Sequence, residues 1–564
     1  MAVGTVIRLI VLLMVTALSG CQRIVETAAI EPSNGSTGEN QSMRAERPAR
    51  SGAAIEIAAL GKDRYDAPIT LTTIRTNEPG VRFDAGDSYG DNEWIRAYER
   101  ELGIRVKMLW TEDSVQYNRK LDLLIASGDI PDFFRVNGTQ LRQLIDSGLI
   151  ADLSAVYAAS ASDKVKKLLE ERGKDPFVSA TVNGKLMAIP SMSMMTENAA
   201  VLHVRSDWLE KLNLSMPDTL SDVLNMSRAF TTQDPDGNGM HDTFGLAVDQ
   251  NFTLANGFLN GFHAYRGIWI GSGSKLAYSS VQPEMKQALS GLRDLYAAGQ
   301  IDPDFGMKDE SKVYESIAGG KIGMFYSSPF AGSFPLQQAK KRNPSMEWKA
   351  VPLPSVDGSR ALPQVVPGSG YWVVNKEVQH PEAIFRLLDF WVETFYDNKS
   401  DDLYYKYNQS KDNNPVWKMN AIAVTKEYKN VEESLRIIEA IDKKDRSKLT
   451  PEDKGVLQRI ESYVTGGAVD GWMWNYMFNK GGTLSIADYY RRNNLYKREQ
   501  FTSIPLPNLQ RKSSELGKLE AETFTKIVLG LMPVADFDRF VEQWKAAGGD
   551  DITNEVNDWY RNNQ

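Results

Sequence analysis

Between residues 68 and 147 the chain switches repeatedly between two hydrophobic periods. Residues 68–74 contain Ile-Thr-Leu-Thr-Thr-Ile and predict a strand. Residues 92–102 predict a helix that Gly103 ends. Residues 104–110 alternate as a strand. Residues 114–127 place Tyr117, Leu121, Leu124 and Ile125 on one helical face, and Gly128 stops them. Residues 132–136 form a short apolar run, and 139–147 return to helical spacing. Strands alternating with helices predict a parallel α/β sheet. Ligands of such sheets sit beyond the carboxyl ends of the strands. Asn77, Asn92 and Asn137 lie close to such ends, and Asp91 and Arg135 beside them.

A second run of elements starts near Val201. Residues 201–205 predict a strand and Asp207 opens a helix. Thr219 with Asp222 three residues on resembles a capping box. Residues 285–296 are amphipathic, with Pro283 ahead of them. Residues 321–326 and 370–375 predict strands, and 381–391 a helix with Ile384, Leu387, Leu388 and Trp391 on one face. Beyond residue 390 the pattern is mostly helical and polar, with no fixed-period repeat.

Composition narrows the function classes. The chain has 564 residues, more than one ordinary domain. Its 65 Lys and Arg against 73 Asp and Glu give a net charge of −8, with no global pull toward nucleic acid. After the N-terminus no apolar run is long enough to cross a membrane. Cys21 is the only cysteine, which excludes an internal disulfide, a Cys-ligated zinc and an iron–sulfur cluster. The four histidines, His203, His241, His263 and His380, form no H-x-x-x-H pair.

Arg8 and the apolar stretch after it read as a signal peptide over residues 1–20. Leu18-Ser-Gly-Cys21 resembles the bacterial lipobox, in which the cysteine is lipidated and becomes the mature N-terminus. Residues 21–66 are polar and turn-rich. They read as a disordered tether with an r.m.s. reach of about 35 Å.

Several phrases follow one another in a telling order. They are Ala126-Ser-Gly-Asp-Ile-Pro-Asp132, Asn183-Gly-Lys-Leu-Met-Ala-Ile-Pro190 and Val204-Arg-Ser-Asp-Trp-Leu-Glu-Lys-Leu212. Pro217-Asp-Thr-Leu, Asp234-Pro-Asp-Gly-Asn-Gly-Met-His-Asp-Thr-Phe-Gly-Leu246 and Gly548-Gly-Asp-Asp-Ile-Thr-Asn-Glu-Val-Asn-Asp-Trp-Tyr560 complete the set. Together, over residues 68–564, they resemble the large lipoprotein branch of extracellular solute-binding protein family 1. These are carbohydrate-binding lipoproteins of ABC importers, of Paenibacillus and Bacillus type. The resemblance implies a two-lobed periplasmic-binding-protein-like fold (type II), with discontinuous α/β lobes, hinge crossovers and an extended helical C-terminus. It implies an N-lobe of 67–195 plus 324–377 and a C-lobe of 205–323 plus 378–564. Crossovers are expected near 193–201, 324–329 and 375–381, with hinge closure over the ligand.

Asp234, Asp236, Asn238, Met240 and Asp242 stand at positions 1, 3, 5, 7 and 9 of an EF-hand-like loop, with Gly239 at position 6. Position 12 is Gly245 instead of a bidentate Glu, and a strand follows. Related alginate-type binding proteins carry a similar loop, which implies a structural Ca²⁺. The competing reading is a solvated turn.

Sugars offer apolar faces to aromatic rings and hydroxyls to Asn, Asp, Glu and Arg. Aromatics in Gly-rich or polar stretches are therefore candidates: Tyr265 and Trp269, Tyr371 and Trp372 at an expected lobe crossing, and Trp472 and Trp474. Glu197, near the first expected crossover, joins Asn77, Asp91, Asn92 and Arg135 as a polar candidate. Trp208, Trp391, Trp544 and Trp559 fall in helical apolar patterns and read as packing.

The expected function is capture of an oligosaccharide between two lobes and its delivery to an ABC permease. The expected chain is a monomer without catalytic residues or nucleic-acid contacts, held by lipidated Cys21 at the outer face of a Gram-positive cell membrane. The alternatives are a receptor presenting ligand to a sensor kinase and a surface glycan-cleaving enzyme.

Overall fold

A computed structural model describes residues 64–171, 175–191, 194–366, 368, 370–397, 400–412 and 414–563. The expected signal peptide, Cys21 and nearly all of the tether lie outside these residues. The described residues belong to one unit, Ile57–Gln564. Its strands are β1 (Ile69–Thr76), β2 (Ile104–Glu112), β3 (Phe133–Val136), β4 (Ile189–Pro190), β5 (Val201–Arg205), β6 (Phe244–Leu246), β7 (Ile322–Ser327), β8 (Trp348–Val351) and β9 (Tyr371–Val374), with shorter pairs between. The helices used below are α1 (Glu93–Ala97), α2 (Ser114–Ser127), α3 (Gly138–Asp146), α4 (Leu220–Thr232), α5 (Ala383–Trp391), α6 (Lys429–Lys443) and α7 (Trp472–Phe478).

In the first lobe β1 and β2 pair in parallel, with β2 taking one extra residue between the partners of Thr73 and Arg75. Such an irregularity re-aims the side chains beyond it. The phrase ending at Asp132 has a local cause. Thr72 donates to Asp132 Oδ2 through both its N–H (2.7 Å) and its hydroxyl (2.7 Å), which ties β1 to the start of β3. The sequence predicts β3 in a parallel sheet, and here the structure differs. β3 pairs antiparallel with β9, which also pairs antiparallel with β4. Local periodicity finds a strand but does not choose its partner. β9 comes from more than 200 residues later in the chain, a distance that no local pattern spans.

The second lobe holds a four-stranded sheet in the order β8-β5-β7-β6. β7 runs antiparallel to β5 and parallel to β6. Its two faces are covered separately. Met324 and Tyr326 join one core with α4 and the C-terminal residues Phe524, Phe540 and Trp544. Phe325 joins another with α6 and α7.

The cores correct the expected lobe boundaries. Residues 324–365 belong to the second lobe, because β7 and β8 hydrogen-bond to β5. Residues 378–424 belong to the first, because Ile384, Leu387, Trp391, Ile422 and Val424 pack with Trp94, Phe133 and Val373. The chain passes from first-lobe to second-lobe packing between 190 and 201, back between 365 and 371, and again between 424 and 431.

Candidate functional site

A cavity of about 470 Å³ opens beyond the carboxyl ends of β1 and β3 and beside the start of β9. Its walls include Arg75, Tyr117, Arg135, Asn137, Trp372, Trp417 and Lys418. Arg75 is fixed from behind. Its Nη1 and Nη2 donate to the carbonyls of Asn420 (2.5 Å) and Lys418 (2.7 Å), and its guanidinium lies 4.3 Å from the Tyr89 ring. Burial lowers its pKa from the ordinary arginine value. Arg135 sits opposite Trp372 in the β3–β9 ladder. Its Nη2 reaches Ser191 Oγ at 3.4 Å. Gly370 makes this possible, because a Cβ there would stand 2.5 Å from Arg135 Nη2 and 2.4 Å from Ser191 Oγ. The Trp372 indole donates to Ala423 O (2.9 Å), which holds the ring in the wall.

A second cavity of about 590 Å³ shares Asn137 and is bounded by both lobes. Tyr371, Pro190 and Ser179 come from the first, and Arg498, Glu499 and Phe501 from the second. Pro505 closes against Gly138 at the first turn of α3, where a Cβ on Gly138 would meet the proline ring at 3.0 Å. Asn137 caps α3 in a reciprocal box with Gln140. Its side-chain oxygen is used by the cap, and among the described residues its amide hydrogens meet no acceptor. Glu499 accepts from the N–H groups of Trp269 (2.9 Å) and Phe501 (3.1 Å), and burial pushes its carboxyl up to about 7.

Of the residues singled out in the sequence, Arg135 and Trp372 line the first cavity, Tyr371 the second and Asn137 both. The others stand elsewhere. Asn77 is exposed, and its N–H donates to Glu112 O. Asp91 is paired with Arg96 on the surface (2.8 Å). Asn92 is buried as the cap of α1. Glu197 is buried and accepts from Asn430 Nδ2 (2.7 Å) and Val431 N–H (2.6 Å), and burial pushes its carboxyl up to about 7. Tyr265 and Trp269 are buried, Trp269 against Tyr278. Trp472 stacks on Tyr476 (4.8 Å), and Trp474 lies on Phe478 and under Arg459. The reason for this last correction is helical spacing: 472 and 476, like 474 and 478, are i,i+4 pairs along α7. The sequence reading missed Arg75, Ser191, Trp417, Lys418, Tyr428 and Arg498. Arg75 carries the same strand-end signal as Asn77. Trp417 and Lys418 sit in a loop whose sequence gives no sign of where it packs.

The Asp234–Asp242 loop is a hydrogen-bonded turn. Asp234, Gly237 and Gly239 all have positive φ. Asp234 accepts from the N–H groups of Gly237, Asn238 and Gly239. Asn238 Nδ2 donates to Asp236 (2.9 Å) and Asp242 (3.1 Å), Asp242 pairs with Lys321, and Met240 is exposed. Burial and the neighbouring Asp234 raise the Asp236 carboxyl. The donor chemistry suits a hard cation. Yet among the described residues no group of three His, Cys, Asp or Glu is arranged to hold a metal ion.

Two separately cored lobes, three crossings and a cleft at strand ends define a ligand-capturing binding protein of the type II periplasmic class. The family model of the bacterial extracellular solute-binding proteins matches residues 86–394, more than half of the chain, and the chain belongs to that family. Lipoprotein LipO of Bacillus subtilis (strain 168) is 24% identical over 502 residues, covering 83% of this chain and 89% of LipO. The polygalacturonan/rhamnogalacturonan-binding protein YtcQ of the same strain is 22% identical, covering 83% of this chain and 88% of YtcQ. The structure of the HMO-binding ABC-transporter-associated solute-binding protein of Bifidobacterium longum infantis ATCC 15697 aligns with a TM-score of 0.62 at 14% identity, over 88% of this chain and 99% of that one. That likeness fixes the fold.

Proposed function

We propose that this protein binds an oligosaccharide in the cleft and hands it to an ABC importer, held at the outer face of the membrane through Cys21. The observation that carries this reading is the cleft itself. Aromatic rings (Trp372, Trp417, Tyr371) stand beside hydrogen-bonding side chains (Arg135, Asn137, Arg498) at the strand ends and lobe crossings. That is the mix a sugar requires, with rings for its C–H faces and donors and acceptors for its hydroxyls. The names of YtcQ and of the Bifidobacterium protein, a polygalacturonan/rhamnogalacturonan binder and an HMO binder, point the same way. Among the described residues no helix is long and apolar enough to cross a membrane.

Thermal unfolding of the purified chain against a panel of neutral and uronic oligosaccharides tests this reading. A binder at 100 times its Kd stabilises by about 2.7 kcal/mol. One glycan class is expected to raise Tm with no new reducing ends released. Release of reducing ends would make the protein an enzyme, and a panel without any shift would refute sugar capture.

For the Asp234–Asp242 loop the reading is a structural calcium site. The ion would be held by Asp234, Asp236, Asn238, Asp242 and the Met240 carbonyl, and would supply charge neutralisation to three crowded carboxylates. EDTA is expected to lower Tm and added Ca²⁺ to restore it. An unchanged Tm, together with no binding of Ca²⁺ by calorimetry, would leave the loop a plain turn.

A further inference from the structure

The chain carries net negative charge, yet its first cavity is cationic. Three cations line it, Arg75, Arg135 and Lys418, against one carboxylate, Glu78. Arg75 is spoken for. Carbonyls hold its guanidinium, and Glu78 is among the groups that act on its charge. Among the described residues the Glu78 carboxylate accepts only from the Thr76 hydroxyl, at 3.4 Å. Arg135 is different. It is exposed to the cavity, and among the described residues no carboxylate pairs with it. Among the described residues its side chain bonds only to Ser191, at the long distance of 3.4 Å. Lys418 likewise has no carboxylate partner among the described residues. Its Nζ donates to Pro79 O (3.1 Å) and lies 5.7 Å from the Trp417 ring.

Resting on the reading of the cleft as a sugar site, we infer that the ligand is an oligosaccharide carrying carboxylates, a uronic-acid oligomer, with one carboxylate received by Arg135. The ladder pairs Arg135 with Trp372, which puts the two side chains on the same face of the sheet. A pyranose ring lying on the indole therefore brings the carboxylate at its C6 to the guanidinium fork. An arginine fork matches a carboxylate in a bidentate manner, which a hydroxyl of a neutral sugar does not use. The bare edge at Gly370 keeps that fork open, since any side chain there would strike it. Asn137, next but one along the chain, adds an amide donor that no described residue occupies, and Lys418 adds a second positive charge on the same cavity. Among the described residues Arg135 and Lys418 meet no carboxylate on this cavity, and an anionic ligand supplies the missing charge.

The test is calorimetric titration of the intact chain and two variants, Arg135→Gln and Arg135→Lys, with trigalacturonate, trimannuronate, fully methyl-esterified trigalacturonate and maltotriose. Arg135 is exposed, so both variants are expected to unfold at the wild-type midpoint, which is checked alongside. One of the two acids is expected to bind at least tenfold tighter than the uncharged sugars. Its affinity should fall with added salt, while that of the uncharged sugars should not. Arg135→Gln is expected to bring the acid down to the level of the uncharged sugars and to weaken those far less, with Arg135→Lys between. Uncharged sugar binding as tightly as either acid, or Arg135→Gln weakening charged and uncharged sugars alike, overturns the uronate assignment and leaves sugar capture standing. Binding of none of the four sugars, with the wider neutral panel silent as well, overturns both.

Discussion

At the residue scale, burial decides what the carboxylates of the second cavity and of the crossing segments do. Glu197 and Glu499 are both held up to about 7 by burial, each only partly relieved by two N–H donors. The unfolded chain releases the same protons near 4.3. The folded form therefore keeps protons that the unfolded form has lost. This contribution to stability is complete below about pH 4.3 and disappears as pH rises through about 7. His203 works in the opposite sense. Buried between Tyr476 Oη (2.8 Å) and Ser328 O (3.1 Å), it is pushed down to about 4, so its contribution is lost as pH falls from about 6.5. Gln at position 499 keeps an oxygen for both N–H donors and removes the titration. Urea unfolding of Glu499→Gln between pH 5 and 8 is expected to show a smaller fall in stability with rising pH than the parent. Identical slopes would contradict the burial argument.

Among elements, the crossings are bound to one another. Glu197, on the first, accepts from Asn430 and Val431 and so caps α6, whose own preceding residue, Tyr428, makes no side-chain cap. Thr196 donates to Glu427 on the third crossing. A residue expected from its position to meet ligand is instead the clasp between two segments that join the lobes. Removing an acceptor leaves its N–H donors without a partner, at about 1–3 kcal/mol. Glu197→Ala is expected to lose stability in that range in equilibrium unfolding, and Glu197→Gln to lose less. An alanine variant as stable as the parent would show that the clasp does not act. Much at this scale is legible in the sequence. Gly103 and Gly128 both end helical elements in left-handed conformation, as read from their positions. Thr219 and Asp222 form the capping box their spacing predicts. What the sequence hides is which strand a strand meets. The apolar run 321–326 is compatible with either lobe, and only its pairing with β5 and β6 assigns it. Aromatic clusters mislead for a related reason. Asp470 and Gly471 make Trp472 look like a loop residue, whereas the chain forms a helix one residue later and turns the tryptophans inward.

For the whole molecule, the described residues pack into two lobes with separate cores joined by three crossing segments. The cleft takes walls from segments far apart in the chain: the ends of β1 and β3, the start of β9, the segment 417–425, and residues 498–505, where Phe501 packs in the second-lobe core and Ile504 in the first. From the sequence, strand-end position leads to Arg135, and an aromatic pair in a Gly-rich stretch at an expected crossing leads to Trp372. The walls at 417–425 and 498–505 depend on tertiary packing that no local pattern records. Hydrogen exchange of the intact chain, saturated with the oligosaccharide that gives the largest thermal shift, tests this arrangement most directly. Exchange is expected to slow together at 74–78, 135–140, 370–372, 417–425 and 498–505, with no change at 472–476. Protection centred on α7 or on the Asp234–Asp242 loop, with the strand ends unchanged, would contradict the cleft as the site of capture.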